Sequence, residues 1–285
     1  MTTPIHPNTR LGYVHLTVTN LARSLAFYQQ SLGFQLHRQQ DNSAFLGAGR
    51  EDLLVLTENP QARQTQGTTG LYHFAILVPS RLELAQVLKR VAQTKTKVQG
   101  FADHWVSEAM YLPDPDGNGI EIYRDLSRAE WTYTKGELQM ATDPLDVESL
   151  LAEAMEQPGQ WPGLDPATVL GHMHLHVANI PQAEAFYLDV LGFERVTAMP
   201  SASFVSAGGY HHHLGLNTWL GAGAPPPPAN AVGLRHFVIY LPDETALNEV
   251  LARVRQANLA LEQTPNGYLV RDPSQNGVML AVADH

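Results

Sequence analysis

Apolar and polar residues alternate near the start of the chain and then change to a helical spacing. The stretch Val14–Val18 alternates as a half-buried strand does. Beyond Asn20, a residue type common at helix N-caps, apolar residues recur at helical spacing until Gly33 ends the pattern. Three short strand-like runs separated by turn residues follow, at 35–38, 44–46 and 52–57. This order predicts one βαβββ module.

The βαβββ order recurs along the rest of the chain. A second module is predicted from a strand at Leu71–Val78, through a helix capped by Ser80, to a strand at Ile120–Tyr123. Residues 13–34 and 172–193 share His, Leu, Val, Asn, Ala, Phe, Tyr and Gly at matching positions, so the two halves are copies. Two more modules are therefore predicted. Their strands lie at His172–Val177, 204–206, His211–Asn217 and His236–Leu241, and their helices at Pro181–Leu191 and Glu244–Ala257.

The four modules predict an α+β fold in which they pair into two domains, each with a curved mixed sheet around a cavity. Modules one and two form the predicted domain 9–125, and modules three and four form the predicted domain 170–285. Residues 126–169 are predicted to be a connector with one helix at Val147–Met155. If paired modules fold as copies, their first strands face each other across the sheet formed between them.

Composition narrows the class of protein. The net charge is -10 and Lys and Arg do not cluster, so nucleic acid is not an expected partner. No run approaches the roughly 18 apolar residues of a membrane span, and the N-terminus lacks the apolar segment of a signal peptide. We therefore expect a cytoplasmic protein without a membrane partner. Cysteine is absent, which excludes disulfides, thiolate ligands and a cysteine nucleophile, whereas 13 histidines remain.

Glu121 interrupts the apolar strand Ile120–Tyr123. An unpaired buried carboxylate costs several kcal/mol, so this side chain should face solvent or bind a cation. His15 and His73 occupy the first strands of modules one and two, which the expected pairing brings together. Two imidazoles and one carboxylate form the ligand set of Fe(II) or Mn(II) sites that keep open positions. A single histidine on such a strand is usually structural, but the three residues together predict a metal site at His15, His73 and Glu121.

The second half of the chain provides an internal comparison. His174 matches His15 and His236 matches His73, but the residue that aligns with Glu121 is Met279. A thioether is too soft for such a site, so the second pocket is predicted to be degenerate. His211 and His213 are expected on one face of a strand. They could rebuild a metal site with His174 and His236, although packing and hydrogen bonding within the vacated pocket is the favoured interpretation.

The stretch from His104 to Glu121 resembles the signature of extradiol dioxygenases. A histidine is followed after five residues by Met110-Tyr111, then by Asp114-Pro115, Gly117 and the glutamate. Together with the repeated modules, this stretch is similar to the vicinal oxygen chelate superfamily. That superfamily includes extradiol dioxygenases, glyoxalase I and bleomycin- or fosfomycin-resistance proteins. The closest likeness is to bacterial catechol-2,3-dioxygenase-like proteins.

The resemblance implies an extradiol dioxygenase that cleaves a catechol-type substrate with Fe(II), or Mn(II), and dioxygen. His104 would act as general acid or base, and Tyr111 would donate a hydrogen bond to an oxygen of the bound reactants. A surface histidine and a core tyrosine are the structural alternatives for these two residues. The implied partners are a small aromatic diol and dioxygen. The sequence leaves the oligomeric state open, with a homo-oligomer as one outcome.

Two alternatives to the dioxygenase remain, a glyoxalase-type isomerase or lyase and a non-catalytic small-molecule binder. Glyoxalase I needs a fourth ligand, a glutamate near the end of module one, and in the alignment this position is Val55. Valine cannot bind a metal, which favours the dioxygenase, although a shifted register would bring in Glu58. The resemblance also implies a second pocket histidine late in the first module of the catalytic pair, and residues 50–60 contain none.

Overall fold

The computed structural model describes residues 3–157 and 159–283. Modules one and two follow the predicted order of elements. Module one consists of β1 (Arg10–Val18), α1 (Leu21–Gln30), β2 (Gln35–Gln40), β3 (Ser43–Gly47) and β4 (Asp52–Glu58). Module two consists of β5 (Gly70–Leu77), α2 (Arg81–Gln93), β6 (Gly100–Asp103), β7 (Ser107–Pro113) and β8 (Gly119–Asp125).

The connector and the second half complete the chain, and the predicted α+β class with four βαβββ modules is confirmed. The connector contains β9 (Tyr133–Thr134), β10 (Glu137–Leu138) and α3 (Val147–Met155). Module three contains β11 (Val169–His176), α4 (Ile180–Glu184) continued by a π-helical stretch (Ala185–Val190), β12 (Glu194–Met199), β13 (Ala202–Ser206) and β14 (Leu214–Asn217). Module four contains β15 (Gly233–Leu241), α5 (Glu244–Gln256), β16 (Leu261–Thr264), β17 (Gly267–Arg271) and β18 (Gly277–Val282).

The strands form two mixed eight-stranded sheets, but the modules are not combined as predicted. One sheet has the order β16-β17-β18-β15-β1-β4-β3-β2, and the other has the order β12-β13-β14-β11-β5-β8-β7-β6. Modules one and four therefore share one sheet, and modules two and three share the other. The expected pairing of module one with two, and of three with four, is wrong. Each module begins with a similar strand, so the hydrophobic pattern does not determine which two first strands become neighbours.

The chain also divides into two compact units. The first contains the residues through Thr17, Arg63–Tyr72 and the residues from Gly171 onward. The second contains Val18–Ala62 and His73–Leu170. This division assigns two short segments differently from the predicted domains 9–125 and 170–285. The limits of those domains and of the 126–169 connector stay a prediction.

Side-chain caps begin the helices at the positions that the sequence indicates. Asn20 accepts a hydrogen bond from the Arg23 amide at 2.8 Å, and Ser80 accepts one from the Glu83 amide at 3.1 Å. These bonds satisfy amides that have no partner inside the helix. Within the described part of the chain, no helix is long and apolar enough to cross a membrane.

A buried aspartate fixes the turn that leads into β8. Asp114 accepts hydrogen bonds from the Asp116 and Asn118 amides at 2.8 and 2.9 Å. It also accepts bonds from the Asn118 side-chain amide at 2.9 Å and from the Tyr28 hydroxyl at 3.0 Å. Burial raises the pKa of Asp114, and these donors act in the opposite direction by stabilising the carboxylate. The turn therefore connects β8 to α1 and fixes where the Glu121 side chain projects from the sheet.

The second half contains a copy of this turn before β18. Asp272 accepts hydrogen bonds from the backbone and side-chain amides of Asn276 at 2.8 and 2.9 Å. The Tyr187 hydroxyl donates to the same carboxylate at 3.1 Å. The turn sets the position of Met279 in the way that its counterpart sets the position of Glu121. The two halves thus keep the same structural turn while the residue that follows it differs.

Candidate metal centre

His73 and Glu121 lie side by side on one face of a sheet. Strands β5 and β8 are parallel, and Ala75 is the partner of Glu121 across them. Since alternate residues of a strand share a face, His73 and Ala75 point to the same side. The Nε2 atom of His73 is 3.0 Å from the Oε2 atom of Glu121. Both residues are buried, with exposed fractions of 6% and 2%. The structure therefore brings these two predicted residues together.

The third potential ligand is His172. It lies in β11, the strand next to β5 in the sheet. Its ligand atom and those of His73 and Glu121 all lie within 4.8 Å of one another. The predicted ligand set does not include His172. The signal for it in the sequence is the alternation His172-Met173-His174, which places both imidazoles on one face of a strand.

The structure does not bring His15 to His73 and Glu121, and the predicted ligand set is corrected at this residue. His15 belongs to β1, which is in the other sheet. There it faces His236 of β15, with ring centroids 4.9 Å apart. The physical reason is the altered pairing of modules, because the first strand of module two neighbours the first strand of module three.

The three donors suit a divalent cation. A metal with ligand distances of about 2.1 Å places neighbouring donor atoms about 3 Å apart. The distance of 3.0 Å between Nε2 of His73 and Oε2 of Glu121 agrees with that spacing. Two imidazole nitrogens and one carboxylate oxygen suit Fe(II) and Mn(II), and they leave positions for further ligands. The set therefore fits the metal that the resemblance implies.

An apolar surface borders Glu121. Ala75, Ala109 and Tyr123 form a buried cluster, and Leu77 and Tyr111 pack against it. In the β7–β8 pair, Tyr111 is the partner of Glu121 and Ala109 is the partner of Tyr123. Ala75, Ala109 and Tyr123 are all 0% exposed, so the face beside Glu121 is apolar and shielded from water. The metal donors are therefore bordered by apolar side chains.

Tyr111 and His104 form a hydrogen-bonded pair beside the donors. The Tyr111 hydroxyl lies 2.6 Å from Nε2 of His104, and its ring lies 5.6 Å from the His73 ring. Tyr111 is therefore the member of the pair that borders the metal donors, and His104 lies behind it. The predicted catalytic roles of the two residues stay predictions.

A histidine cluster lies beside His172. The rings of His172 and His212 are 4.2 Å apart, and the Nδ1 atoms of His211 and His212 are 2.9 Å apart. Residues 211–213 lie in the turn between β13 and β14 rather than in the predicted strand His211–Asn217. The cluster thus lies late in module three. The second pocket histidine that the resemblance implies, and that residues 50–60 do not contain, stays a prediction.

His174 does not join the metal donors. Its ring packs near those of Phe204 and Trp219, at 5.6 and 5.2 Å. The ring also lies over Gly215, where a Cβ atom would come within 2.9 Å of it. These contacts indicate a packing role for His174 on the face of β11.

The other sheet contains the counterpart of the metal donors. Met279 is the partner of Val238 across the parallel strands β15 and β18, in the register that places Glu121 opposite Ala75. The predicted match of Met279 with Glu121 is therefore confirmed. Tyr13 packs against the same cluster, and its ring is 6.0 Å from that of His236. This set has one imidazole and no carboxylate.

The His15–His236 pair is held in the neutral form. Burial, with the neighbouring His236 and Arg235, lowers the pKa of His15 to about 3. Burial, with Arg235 and Arg271, lowers the pKa of His236 to about 4. Both rings are uncharged near pH 7, because two arginines and a second imidazole oppose protonation at a site that already disfavours charge.

The position of a fourth ligand is also corrected. Val55 lies in β4, in the other sheet, and Glu58 accepts a hydrogen bond from the Leu21 amide at 2.9 Å. The corresponding strand of module three is β14, which pairs with β11. Gly215 and Asn217 are its residues opposite His174 and His176. No residue of β14 is acidic, so this strand cannot supply a fourth carboxylate.

The sequence matches the Glyoxalase/Bleomycin resistance protein/Dioxygenase superfamily over residues 10–122 and 169–280, and the chain belongs to this superfamily. It is 47% identical over 277 residues to catechol-2,3-dioxygenase of Bacillus subtilis (strain 168), covering 95% of this chain and 96% of that protein. It is 32% identical over 127 residues to lactoylglutathione lyase of Neisseria meningitidis serogroup A, covering 41% of this chain and 92% of that protein. The structure of a putative dioxygenase from Bacillus subtilis has the same fold, with a TM-score of 0.68 at 13% identity, covering 100% of this chain and 87% of that one.

Proposed function

We propose that the protein is an extradiol ring-cleaving dioxygenase that acts on a catechol-type substrate with Fe(II) and dioxygen. The observation that carries this proposal is the buried set His73, Glu121 and His172 next to Tyr111. The 47% identity to a catechol-2,3-dioxygenase over nearly the whole chain supports it. In the reaction, one ring carbon–carbon bond beside the diol breaks and both oxygen atoms of dioxygen enter the product, a muconic semialdehyde. No other reductant is needed.

The chain's own residues bind and orient the reactants. His73, Glu121 and His172 would hold the cation. When bound, Fe(II) would supply a single coordination shell for diol and dioxygen and a path for charge between them. The apolar cluster of Ala75, Ala109 and Tyr123 would pack against the ring. Burial of the donors excludes water, which strengthens electrostatic interactions with the reactants.

Imidazole groups lie on both sides of the candidate metal donors. On one side of the donors the Tyr111 hydroxyl would contact the substrate oxygens, and His104 is hydrogen-bonded to it. On the other side, His212 packs against His172 and pairs with His211. An imidazole can take up or return a proton near neutral pH, and a catechol loses protons as it binds a metal and is cleaved. His212 is the side chain that we assign to this step.

A glyoxalase-type isomerase or lyase is the alternative, since part of the chain is similar to a lactoylglutathione lyase. The absence of an acidic residue from β14 opposes it. A non-catalytic binder is the third alternative, and it requires no metal. Elemental analysis of freshly purified protein separates this third case from the first two, and it also distinguishes iron from manganese.

The test is anaerobic loading with Fe(II), followed by several catechols and air. We expect oxygen uptake equal to the formation of a yellow ring-fission product, with none from the Glu121→Gln variant. Mn(II) loading is run in parallel. Absence of product from every catechol would overturn the proposal. Turnover of a thiohemiacetal with Ni(II) or Zn(II), without oxygen uptake, would support the isomerase instead.

We also propose a cytoplasmic location, on the grounds of the composition. A homo-oligomer remains a prediction. Cell fractionation and sedimentation of the purified chain test these two points separately.

A further inference from the structure

The connector pairs with the edge of the sheet beside His104. Asp103, at the end of β6, and Asp143 of the connector exchange two backbone hydrogen bonds, at 2.9 and 3.0 Å. Two residues earlier, the Ala141 amide donates to the His104 carbonyl at 3.2 Å. The segment 141–143 therefore runs antiparallel to 103–104 as one more short piece of strand. None of the roles assigned above uses this segment.

The connector also contacts the His104 ring. Nδ1 of His104 is 2.6 Å from the Ala141 carbonyl oxygen. A carbonyl can only accept a hydrogen bond, so Nδ1 must carry the proton. In the neutral ring Nε2 then has a lone pair, and it lies 2.6 Å from the Tyr111 hydroxyl. The Tyr111 O–H must therefore be the donor in this second bond.

Two hydrogen bonds from Trp105 stabilise the turn between β6 and β7. Trp105 has φ of 66°, in the left-handed region that a bulky residue rarely adopts. Its amide donates to the Asp103 carboxylate at 2.8 Å, and its indole N–H donates to the Asp143 carboxylate at 2.9 Å. Such a conformation costs free energy and persists only where its surroundings stabilise it, which is common close to functional sites.

We propose that the 141–143 segment is a positioning element that fixes His104 as the Nδ1–H tautomer and thereby makes Tyr111 a hydrogen-bond acceptor toward the substrate. With its only proton directed to His104, the Tyr111 oxygen can accept a bond from a catechol hydroxyl but cannot donate one. In the Nε2–H tautomer, His104 would donate to the Tyr111 oxygen, and the Tyr111 proton could then be donated to the substrate. His104 is thus a positioning residue that acts through Tyr111. This inference rests on the proposed function, and it reverses the donor role that the sequence resemblance implies for Tyr111.

The tautomer can be measured without activity. The metal-free full-length chain is labelled with ¹⁵N-histidine, and the ring nitrogen shifts of His104 are assigned by their loss in His104→Gln. We expect a protonated Nδ1 and an unprotonated Nε2 in the wild type. Asp143→Ala, which removes the indole acceptor, or Ala141→Pro, which removes the Ala141 N–H, should give an averaged mixture. An Nε2–H tautomer in the wild type, or unchanged shifts in both variants, would overturn the inference.

Kinetics of the Fe(II)-loaded enzyme test the effect on substrate. We expect Asp143→Ala to lower kcat roughly tenfold with little change in KM, a part of the 10²–10⁴ that positioned proton-transfer groups contribute. Asp143→Asn keeps an acceptor and should restore most of kcat, and the exposed connector variant Glu137→Gln is the control. In a Tyr111→Phe background, Asp143→Ala should have no further effect. A further loss there would contradict action through Tyr111. If no variant or wild type cleaves catechols, the proposed function fails while the tautomer measurement still decides the inference.

Discussion

The rings of His15 and His236 are 4.9 Å apart and nearly perpendicular, with an interplanar angle of 83°. Both pKa values are lowered, to about 3 and about 4. In the unfolded chain these histidines have an ordinary pKa of about 6.5. Between that value and the lowered pKa values, the unfolded chain therefore binds more protons than the folded chain. The contribution of the pair to stability is therefore fully present above pH 6.5, and it is lost progressively as the pH falls from about 6.5 through the folded pKa values of about 4 and about 3.

This linkage predicts the effect of removing one ring. His15→Gln should reduce the loss of unfolding free energy between about pH 7.5 and pH 5, because fewer protons are taken up on unfolding. Urea unfolding at both pH values measures it, with His6→Gln as the control outside the pair. An equal loss of stability in wild type and His15→Gln would contradict the assignment.

Replacement of the acidic donor should remove the metal. Glu121→Gln is expected to weaken Fe(II) binding by at least about 100-fold, since it removes a charged ligand and not merely a neighbour of one. Metal content after dialysis against a weak chelator measures the effect. Met279→Leu changes the matching position of the other sheet and should leave the metal content unchanged. Loss of metal in both variants would point to unfolding instead.

Variants of His172 and His15 distinguish the ligand set in the structure from the ligand set predicted from the sequence. His172→Ala should lose the metal, because its ring nitrogen is one of three donors within 4.8 Å. His15→Ala should keep the metal, because this residue belongs to the other sheet. Elemental analysis of the two purified variants is sufficient. The reverse result would restore the ligand set His15, His73 and Glu121.

Tyr111 should affect turnover more than metal binding. Tyr111→Phe removes the hydroxyl that pairs with His104 and should lower kcat by about 10 to 100-fold, since a hydrogen bond to a charged group contributes about 1.5–3 kcal/mol. Metal content should not change. The exposed tyrosine variant Tyr133→Phe serves as the matched control. An unchanged kcat would place Tyr111 in a purely structural role.

The two copies of the buried turn should contribute equally to stability. Tyr28→Phe and Tyr187→Phe each remove one hydrogen bond to a buried carboxylate. Each should cost about 1.5–3 kcal/mol of unfolding free energy, the usual value for a bond to a charged group. Chemical denaturation of both variants tests this. A clear difference between them would show that the halves are not equivalent at this position.

Local patterns in the sequence predicted each module but not how the modules combine. The Asn20 cap and the proximity of His73 to Glu121 depend on local spacing and on strands within one module, which the sequence encodes directly. His172 joins them only because β11 is the neighbour of β5. The first strands of all modules have similar patterns, so hydrophobic periodicity is satisfied equally well by either pairing.

The strand prediction for residues 211–213 is wrong for a different reason. A series of three histidines has no apolar alternation of its own, so the sequence does not mark where the strand Leu214–Asn217 begins. Gly208 and Gly209 both have positive φ, at 60° and 66°, so the chain turns before the run. A Cβ atom on Gly208 would lie only 2.3 Å from the carbonyl oxygen of Pro7. Such a long-range approach cannot be recognised from neighbouring residues.

The matching registers of Glu121 and Met279 have a consequence for protein engineering. Tyr13, His236 and Met279 occupy the counterparts of His172, His73 and Glu121, and one imidazole is already in place. Only two replacements, Tyr13→His and Met279→Glu, separate the inert copy from a full donor set. Duplication has thus left this chain with a spare scaffold into which a second reactive centre could be grafted while the original continues to work.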